Sequence, residues 1–346
     1  MKHQTTRYGE IPFYKIGTFG NTADAFISKK LFLEYQTKYS FPKKGDILIS
    51  ASGTIGRAVI YDGKPAYFQD SNIVWIDNDE TLVKNDFLFY AYSNVKWNTE
   101  HTTILRLYND NFRNTLIPLP PLNEQNAIAN ILSDLDRYLC ALDALILKKE
   151  GVKKALSFEL LSQRKRLKGF NQAWQRVRLG DIANYLISNL SAEQITQQGK
   201  IKVYDVNNFI GYTDTTFISD KPYISIVKDG SVGRVRILPP KTNILSTMGA
   251  LIANHRTTTE FLFYLLSNFD FKNFTSGSII PHIYFKDYKE KTIFLPPLNE
   301  QSAIANILST LDNEIASLKN KKRQFENIKK ALNHDLMSAK IRVLEK

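Results

Sequence analysis

The sequence predicts an α+β protein in which two repeated domains of mixed α and β structure are joined by two long antiparallel coiled-coil helices, related by a pseudo-two-fold. Three observations lead to this prediction. An 18-residue segment occurs twice, a heptad pattern follows each copy, and the segments that precede the two copies resemble each other more weakly. The repeat determines the organisation of the whole chain.

The repeated segment reads LPPLNEQNAIANILSDLD from Leu119 to Asp136 and LPPLNEQSAIANILSTLD from Leu295 to Asp312. The two copies share 16 of 18 residues at an offset of 176. The same offset pairs residues 152–156 with residues 328–332, so the duplication extends beyond the motif. In each copy two prolines precede Asn123 or Asn299, which suits an asparagine cap at the start of a helix.

Apolar residues continue after each motif at alternating steps of four and three, which predicts a long helix with one apolar seam. The first seam contains Ile128, Leu132, Leu135, Leu139, Leu142, Ile146, Leu156 and Leu160, and the second contains Ile304, Leu308, Leu311, Ile315, Leu318, Phe325, Leu332 and Leu336. A helix of about forty residues is about 60 Å long and is stable only if its seam is covered. We therefore expect the two helices to pack against each other.

The segments before the helices share landmarks. Gly53 to Arg57 (GTIGR) corresponds to Gly230 to Arg234 (GSVGR), FLFY occurs at 87–90 and at 261–264, and Tyr108 corresponds to Tyr284. Short alternating strands and one short amphipathic helix predict compact α+β domains. The expected organisation is a first domain at 1–117, a first helix at 118–170, a second domain at 171–294 and a second helix at 295–346.

Composition indicates the class of partner. The chain has 346 residues, 46 Lys and Arg against 34 Asp and Glu, a net charge of +12 and a pI near 9.4, which favours a polyanionic partner such as nucleic acid or an anionic membrane surface. The single cysteine, Cys140, excludes an intrachain disulfide, and we interpret it as a small buried apolar residue. Because no apolar run reaches the length of a membrane span, we expect a cytoplasmic protein.

Several side chains on predicted loops and strand ends are candidates for contacts with DNA. Arg57 and Arg234 follow glycines that allow the backbone to approach a phosphate or a base edge. The other candidates are Lys43, Lys44, Thr54, Arg106, Tyr108, Ser231, Ser278, His282, Tyr284 and Lys286. For each there is a structural alternative: the glycine segments form only hairpin turns, and the two tyrosines lie in the core.

The paired LPPLNEQ motifs, each followed by a heptad helix and separated by a variable domain, resemble the specificity subunits of type I restriction-modification enzymes. The resemblance covers essentially the whole chain. It implies two target recognition domains that each read one half of a bipartite DNA site, and helices whose length sets the spacer. It also implies partners, namely two adenine methyltransferase subunits and the ATP-dependent restriction subunits.

The resemblance assigns contacts with these partner subunits to the motif residues Asn123, Glu124, Gln125, Asn299, Glu300 and Gln301. No cofactor is expected on this chain, because S-adenosylmethionine, ATP and magnesium would belong to the partners. In one respect the chain departs from the family. The second domain opens with residues 174–182 (WQRVRLGDI), whereas the first has no counterpart of this segment and is expected to lack it. Two alternatives follow: either the reading frame starts upstream in a fuller form, or the chain is a shortened, non-functional specificity subunit.

Two other functions compete with this interpretation. An enzyme that itself methylates or cuts DNA would need a cofactor loop, a Walker-type phosphate loop or metal-ligand spacing among its five histidines, and the sequence has none of these patterns. The chain is therefore expected to be non-catalytic, with no metal site. The remaining alternative is a coiled-coil adaptor whose two domains bind protein, which the salt dependence of binding would distinguish from DNA recognition.

Overall fold

A computed structural model describes residues 4–68, 72–97 and 106–343. The chain divides into two compact units. Unit 1 comprises Met1–Asp143 with Asn320–Lys346, and unit 2 comprises Ala144–Lys319. Each unit therefore contains one mixed α/β domain, a part of the first long helix and a part of the second.

Unit 1 is built on a three-stranded antiparallel sheet. Its elements are β1 (Ile11–Phe13), β2 (Ala25–Ile27), α1 (Lys29–Lys38), β3 (Ile47–Ser50), β4 (Ala58–Ile60), β5 (Ile73–Ile76), α2 (Asn85–Tyr92) and α3 (Asn109–Arg113). The strand order is β4-β3-β5, and Leu48 lies opposite both Val59 and Trp75. Because β3 is covered on both faces, its Ile-Leu-Ile run is continuously apolar and buried.

The first long helix, α4, runs from Leu122 to Leu161 and has 40 residues. It starts one residue before Asn123, so the prediction that Asn123 caps this helix is wrong. Cys140 is exposed, and its interpretation as a buried residue is also wrong. The physical reason is its position on the helix, since Cys140 lies between seam residues Leu139 and Leu142 but points away from the covered side.

Unit 2 repeats this framework and adds strands to it. Its elements are β6 (Gln175–Arg178), β7 (Ala183–Ile187), β8 (Ile201–Tyr204), β9 (Phe209–Thr213), β10 (Tyr223–Val227), β11 (Val235–Leu238), β12 (Thr242–Ile244), β13 (Met248–Ala253), α5 (Thr259–Ser267), β14 (Thr275–Ser276), β15 (His282–Ile283), α6 (Phe285–Tyr288) and β16 (Thr292–Leu295). The largest sheet has the order β11-β10-β13-β7, while β12-β8-β9 and β16-β6 form two further sheets.

The strands β10, β11 and β13 correspond to β3, β4 and β5, and α5 corresponds to α2. In unit 2, β13 lies between β10 and β7 and pairs with both, and β16 is paired with β6. Among the residues described in unit 1, β5 has β3 as its one neighbour and residues 115–119 join no strand. The two units thus differ at the position of the segment that the sequence predicts to be absent from the first domain.

The second long helix, α7, runs from Leu298 to Met337 and also has 40 residues. Asn299 lies within its first turn and does not cap it, although the Asn299 Oδ1 accepts a hydrogen bond from the Glu300 N–H at 2.9 Å. Within the described part of the chain, no helix is both long enough and apolar enough to span a membrane.

Parts of α4 and α7 pack against each other inside each unit, as the seams predict. In unit 1, Lys329 pairs with Asp136, Lys322 Nζ lies 2.7 Å from Asp143 Oδ1, and the Tyr138 and Phe325 ring centroids are 4.7 Å apart. From the first ion pair to the second, the residue number increases along α4 (136 to 143) and decreases along α7 (329 to 322), so the helices run antiparallel. The predicted fold class, two mixed α/β repeats with antiparallel long helices, is therefore confirmed.

The same pairing recurs in unit 2. Lys153 pairs with Asp312, at the positions that correspond to Lys329 and Asp136, and Lys149 Nζ lies 2.7 Å from Glu314 Oε1. This last ion pair occupies the place that the Tyr138–Phe325 ring contact has in unit 1. The helix contact therefore keeps its geometry while its chemistry changes from aromatic to ionic.

Candidate nucleic-acid interface

A glycine turn follows the central strand of each unit. Gly53 and Gly56 have φ of 67° and 80°, and Gly230 and Gly233 have φ of 83° and 80°, a left-handed conformation that glycine adopts without strain. A Cβ at Gly56 would lie 2.2 Å from Trp97 Nε1, and a Cβ at Gly233 would lie 2.6 Å from the Phe271 ring. An aromatic side chain therefore packs directly against each turn, which fixes the position of the residues around it.

The arginine that follows each turn is held by an asparagine from a neighbouring loop. Arg57 Nη2 donates to Asn21 Oδ1 at 3.3 Å, and Arg234 Nη2 donates to Asn207 Oδ1 at 2.8 Å. The amide oxygen orients the guanidinium without neutralising its charge. Each guanidinium has five N–H donors, so donors remain for an external acceptor.

A segment that carries the predicted tyrosine lies beside each turn. In unit 1, the Leu107 N–H donates to Ala51 O at 2.8 Å, and in unit 2 the Gly230 N–H donates to Pro281 O at 2.8 Å. Tyr108 is 43% exposed and Tyr284 is 49% exposed, so neither lies in the core. Turn, arginine and tyrosine therefore belong to neighbouring segments in each unit, and we call these residues together the turn surface.

The turn surface of unit 2 carries a cationic and aromatic cluster. His282 Nδ1 lies 2.7 Å from Asp229 Oδ1, the His282 ring stacks on Tyr284 with centroids 6.5 Å apart, and Lys286 Nζ lies 5.5 Å from the Tyr284 centroid. The other two predicted residues of this unit, Ser231 and Ser278, are exposed, one in the glycine turn and one in the connection between β14 and β15.

The turn surface of unit 1 has different neighbours. Arg106, at the position of His282, donates from Nη2 to Asn72 Oδ1 at 2.7 Å. Thr54 is exposed within the glycine turn. Lys43 and Lys44 are exposed in the turn before β3, and Lys43 Nζ lies 3.3 Å from Asp77 Oδ1, an exposed ion pair of small energy.

Sequence reasoning missed the residues that hold these side chains. Asn21, Asn207 and Asp229 fix Arg57, Arg234 and His282, and Arg236 packs over the Tyr204 ring at 5.2 Å. The Asn207-Asn208 pair between two strands is a turn signal that the sequence does contain. It predicts the turn, but it does not indicate which side chain the asparagine will hold.

Of the six motif residues assigned to partner contacts, the two glutamines are buried and fasten each domain to its own helix. Gln125 Oε1 accepts from the Lys84 N–H at 2.8 Å, and Gln301 Oε1 accepts from the Thr258 N–H at 3.0 Å. In both copies the amide nitrogen donates to a carbonyl oxygen at the same relative position, Leu82 for Gln125 and Arg256 for Gln301.

The two glutamates of the motif are buried as well, and Asn123 and Asn299 are exposed. Glu300 accepts from Arg166 Nη2 at 2.7 Å and from Trp174 Nε1 at 3.0 Å, and Glu124 accepts from Arg342 Nε at 3.1 Å. The hydrogen bond with Arg342 lowers the pKa of Glu124 below its ordinary value. Four of the six side chains are thus buried and hydrogen-bonded within the chain.

A second polar junction links each domain to both long helices. Tyr90 donates to Asp136 at 2.8 Å, and Asp136 also pairs with Lys329. Tyr264 donates in the same way to Asp312, which pairs with Lys153. Burial, and then the neighbouring aspartate, raises the pKa of each tyrosine well above its ordinary value, so both phenols stay protonated donors.

Within the described residues, no group of three or more His, Cys, Asp or Glu side chains is arranged to hold a metal ion.

Comparison with known proteins gives consistent results. The family model described as "Type I restriction modification DNA specificity domain" matches residues 1–149 and 171–327. A putative type I restriction enzyme specificity subunit of Haemophilus influenzae is 62% identical over 137 residues, which are 39% of this chain and 36% of that protein's length. A putative type I restriction enzyme specificity subunit of Methanocaldococcus jannaschii is 29% identical over 335 residues, covering 86% of this chain and 79% of that protein.

Among solved structures, the crystal structure of a type I restriction-modification system S subunit from M. genitalium superposes with a TM-score of 0.62. The sequence identity is 20%, and the match covers 97% of this chain and 91% of that one. At this level of identity the likeness concerns the fold, which agrees with the duplicated α/β units and long helices described above.

Proposed function

The chain belongs to the family of type I restriction-modification DNA specificity domains, and we propose that it is the DNA-reading subunit of such a system. In this proposal each domain, at 1–117 and 171–294, reads one half of a bipartite site, and the paired helices set the spacer. The chain itself is non-catalytic. It directs two adenine methyltransferase subunits and the restriction subunits, which bind S-adenosylmethionine, ATP and magnesium.

One observation carries this proposal: each unit presents an arginine held by an asparagine, beside an exposed tyrosine. Arginine is the side chain that most often reads guanine in the major groove, through two N–H groups that donate to O6 and N7. A guanidinium already oriented by Asn21 or Asn207 loses less conformational freedom on binding. The same arrangement in both units suits two readers built on one framework.

The differences around the arginines support two different half-sites. Next to the turn, unit 2 has His282 with Asp229, whereas unit 1 has Arg106 with Asn72. These side chains offer different donors and acceptors to base edges. The net charge of +12 supplies the nonspecific attraction to phosphate, which should fall steeply as salt concentration rises.

The test is to express the full chain with its cognate methyltransferase and to sequence the methylated sites. The wild-type chain is expected to give a bipartite methylated motif. Arg234→Ala should relax the motif in one half, and Arg57→Ala should relax it in the other half, with about 1–3 kcal/mol of discrimination lost at each affected base pair.

Arg323→Ala is the matched control. Arg323 also donates to an asparagine, Asn320, at 3.3 Å, but it lies on α7 and belongs to neither turn surface. This variant loses the same charge and should leave the motif unchanged. Equal relaxation of both halves by Arg234→Ala, or no relaxation by either turn variant, would contradict the assignment of one reader to each unit.

A further inference from the structure

In unit 2 a tryptophan completes the environment of a buried carboxylate. Trp174 is 9% exposed, precedes β6 directly, and donates from Nε1 to Glu300 Oε2 at 3.0 Å. Its indole packs in a core that also contains Leu160, Leu295 and Ile304. The strand that follows, β6, pairs antiparallel with β16. Two contacts therefore hold this segment in place. The indole is held by the apolar core and the Glu300 carboxylate, and β6 is held by its pairing with β16.

Unit 1 contains the same receptor residues around a cavity. The cavity has a volume of about 250 Å³, and the residues that line it include Leu119, Glu124, Ile128, Leu336 and Arg342. These are the repeat counterparts of Leu295, Glu300, Ile304, Leu160 and Arg166, and all five residue types are identical. Since Trp174 fills the equivalent space in unit 2, the shape and chemistry of this cavity suit an indole.

A strand edge lies beside the cavity. Residues 115–119 join no strand among the described residues, Leu116 is 93% exposed, and Leu119 is 45% exposed, whereas its counterpart Leu295 is 4% exposed. Pro118 is compatible with pairing. In unit 2 the Leu179 N–H donates to Lys291 O, so these two residues form a hydrogen-bonded pair of the antiparallel ladder. Hydrogen-bonded and non-bonded pairs alternate along such a ladder, so the N–H of Phe294 points away from β6. Pro118 is the counterpart of Phe294, and its missing N–H would therefore not be needed for pairing.

We infer that unit 1 binds a tryptophan-led β-strand of a partner polypeptide. The strand adds antiparallel to residues 116–119, as extended peptides add to exposed edges, and its indole enters the cavity and donates to Glu124. The chemistry required is that of residues 174–177, a tryptophan followed three residues later by a small apolar residue. This inference is independent of the proposed function, because it concerns the helix junction and not the turn surfaces.

The structure also limits what binds. In unit 2, Gly249 leaves space for the Tyr185 ring of β7, and a Cβ at Gly249 would lie 2.2 Å from Tyr185 Oη. The sheet register places Val74 of β5 at this position in unit 1. A second strand like β7, with its tyrosine, would therefore collide with the Val74 side chain. Unit 1 is suited to the single tryptophan-led strand.

The experiment uses the full chain and a labelled synthetic peptide of residues 171–180, followed by fluorescence anisotropy. One peptide is expected to bind per chain. The same peptide with Trp174→Ala should bind at least about tenfold more weakly, because it loses a buried aromatic side chain. Equal binding of the two peptides would overturn the inference.

Two chain variants locate the binding. Leu119→Asp places a charge at the cavity mouth on a side chain that is already 45% exposed, and should weaken binding at least about tenfold. Leu122→Asp is the matched control, since Leu122 is 39% exposed and does not line the cavity, and it should leave the affinity unchanged. Unchanged binding by Leu119→Asp would overturn the inference. The inference would also be overturned if the chain formed a dimer that the peptide disrupts by competition, because the occupant of the cavity would then be a second copy of the chain.

Discussion

The two units place the same carboxylate at the same point of the same helix and surround it differently. Glu300 in unit 2 is fully buried, between Arg166 and Trp174, with β6 and β16 closing the space. Glu124 in unit 1 has Arg342 and a cavity. The glutamate–arginine contact is thus present in both units, whereas the indole and the paired strand are seen in unit 2.

The turn surfaces differ in a complementary way. In both units an asparagine holds the arginine that follows the turn. The hydrogen-bonding side chains next to the turn differ between the units. At the helix junction the receptor residues are the same and the occupant differs. The two repeats therefore keep one framework. Their turn surfaces differ in side-chain chemistry, and their helix junctions differ in whether a tryptophan and a paired strand are present.

The largest effect in this comparison is expected from Trp174→Ala. Removing a buried tryptophan leaves a cavity and removes one donor to Glu300, which should destabilise unit 2 by about 3–5 kcal/mol. Urea unfolding followed by circular dichroism would measure it. The control is Leu116→Ala in unit 1, where the side chain is 93% exposed and the expected change is within about 0.5 kcal/mol. A small loss for Trp174→Ala would show that the indole is not needed to complete the junction.

The sequence predicts the parts of this molecule that depend on local periodicity. The heptad seams correctly predict α4, α7 and their antiparallel contact, because an apolar stripe on a long helix must be covered. The FLFY segments, which in the sequence are only landmarks shared by the two domains, lie in the short helices α2 and α5. The burial of a single residue on a long helix, such as Cys140, could not be predicted in this way. Neighbouring residues of a helix are rotated by about 100°, so Cys140 is exposed although Leu139 beside it belongs to the seam.

The polar junctions could not be predicted, because their partners are distant in the sequence. Gln301 binds backbone groups more than forty residues earlier, at Thr258 and Arg256. The family resemblance assigns the consecutive asparagine, glutamate and glutamine of each motif to contacts with partner subunits. The folded chain buries two of the three, and only the three-dimensional arrangement identifies which.

A smaller effect is expected at the two tyrosines. Tyr90→Phe and Tyr264→Phe each remove one hydrogen bond to an aspartate, and each should cost about 1 kcal/mol of unfolding free energy in its own unit. The aspartate keeps its lysine in both cases, so neither variant leaves an isolated charge. The same urea titrations apply. A difference of more than about 1 kcal/mol between the two variants would break the equivalence of the units at this junction.

The smallest expected effect is the pH dependence of the Glu124–Arg342 pair, because the Arg342 side chain is 52% exposed and water screens the interaction. The pKa of Glu124 is lowered from 4.5 in the folded chain, chiefly by the hydrogen bond from Arg342. A carboxylate with a depressed folded pKa stabilises fully above its unfolded pKa and loses this contribution as pH falls through the folded value. The urea midpoint of the wild-type chain should therefore exceed that of Glu124→Gln above about pH 4.5, and the gap should close below it. A gap that stays constant down to pH 3 would show that packing at position 124, and not the ion pair, holds this end of α4.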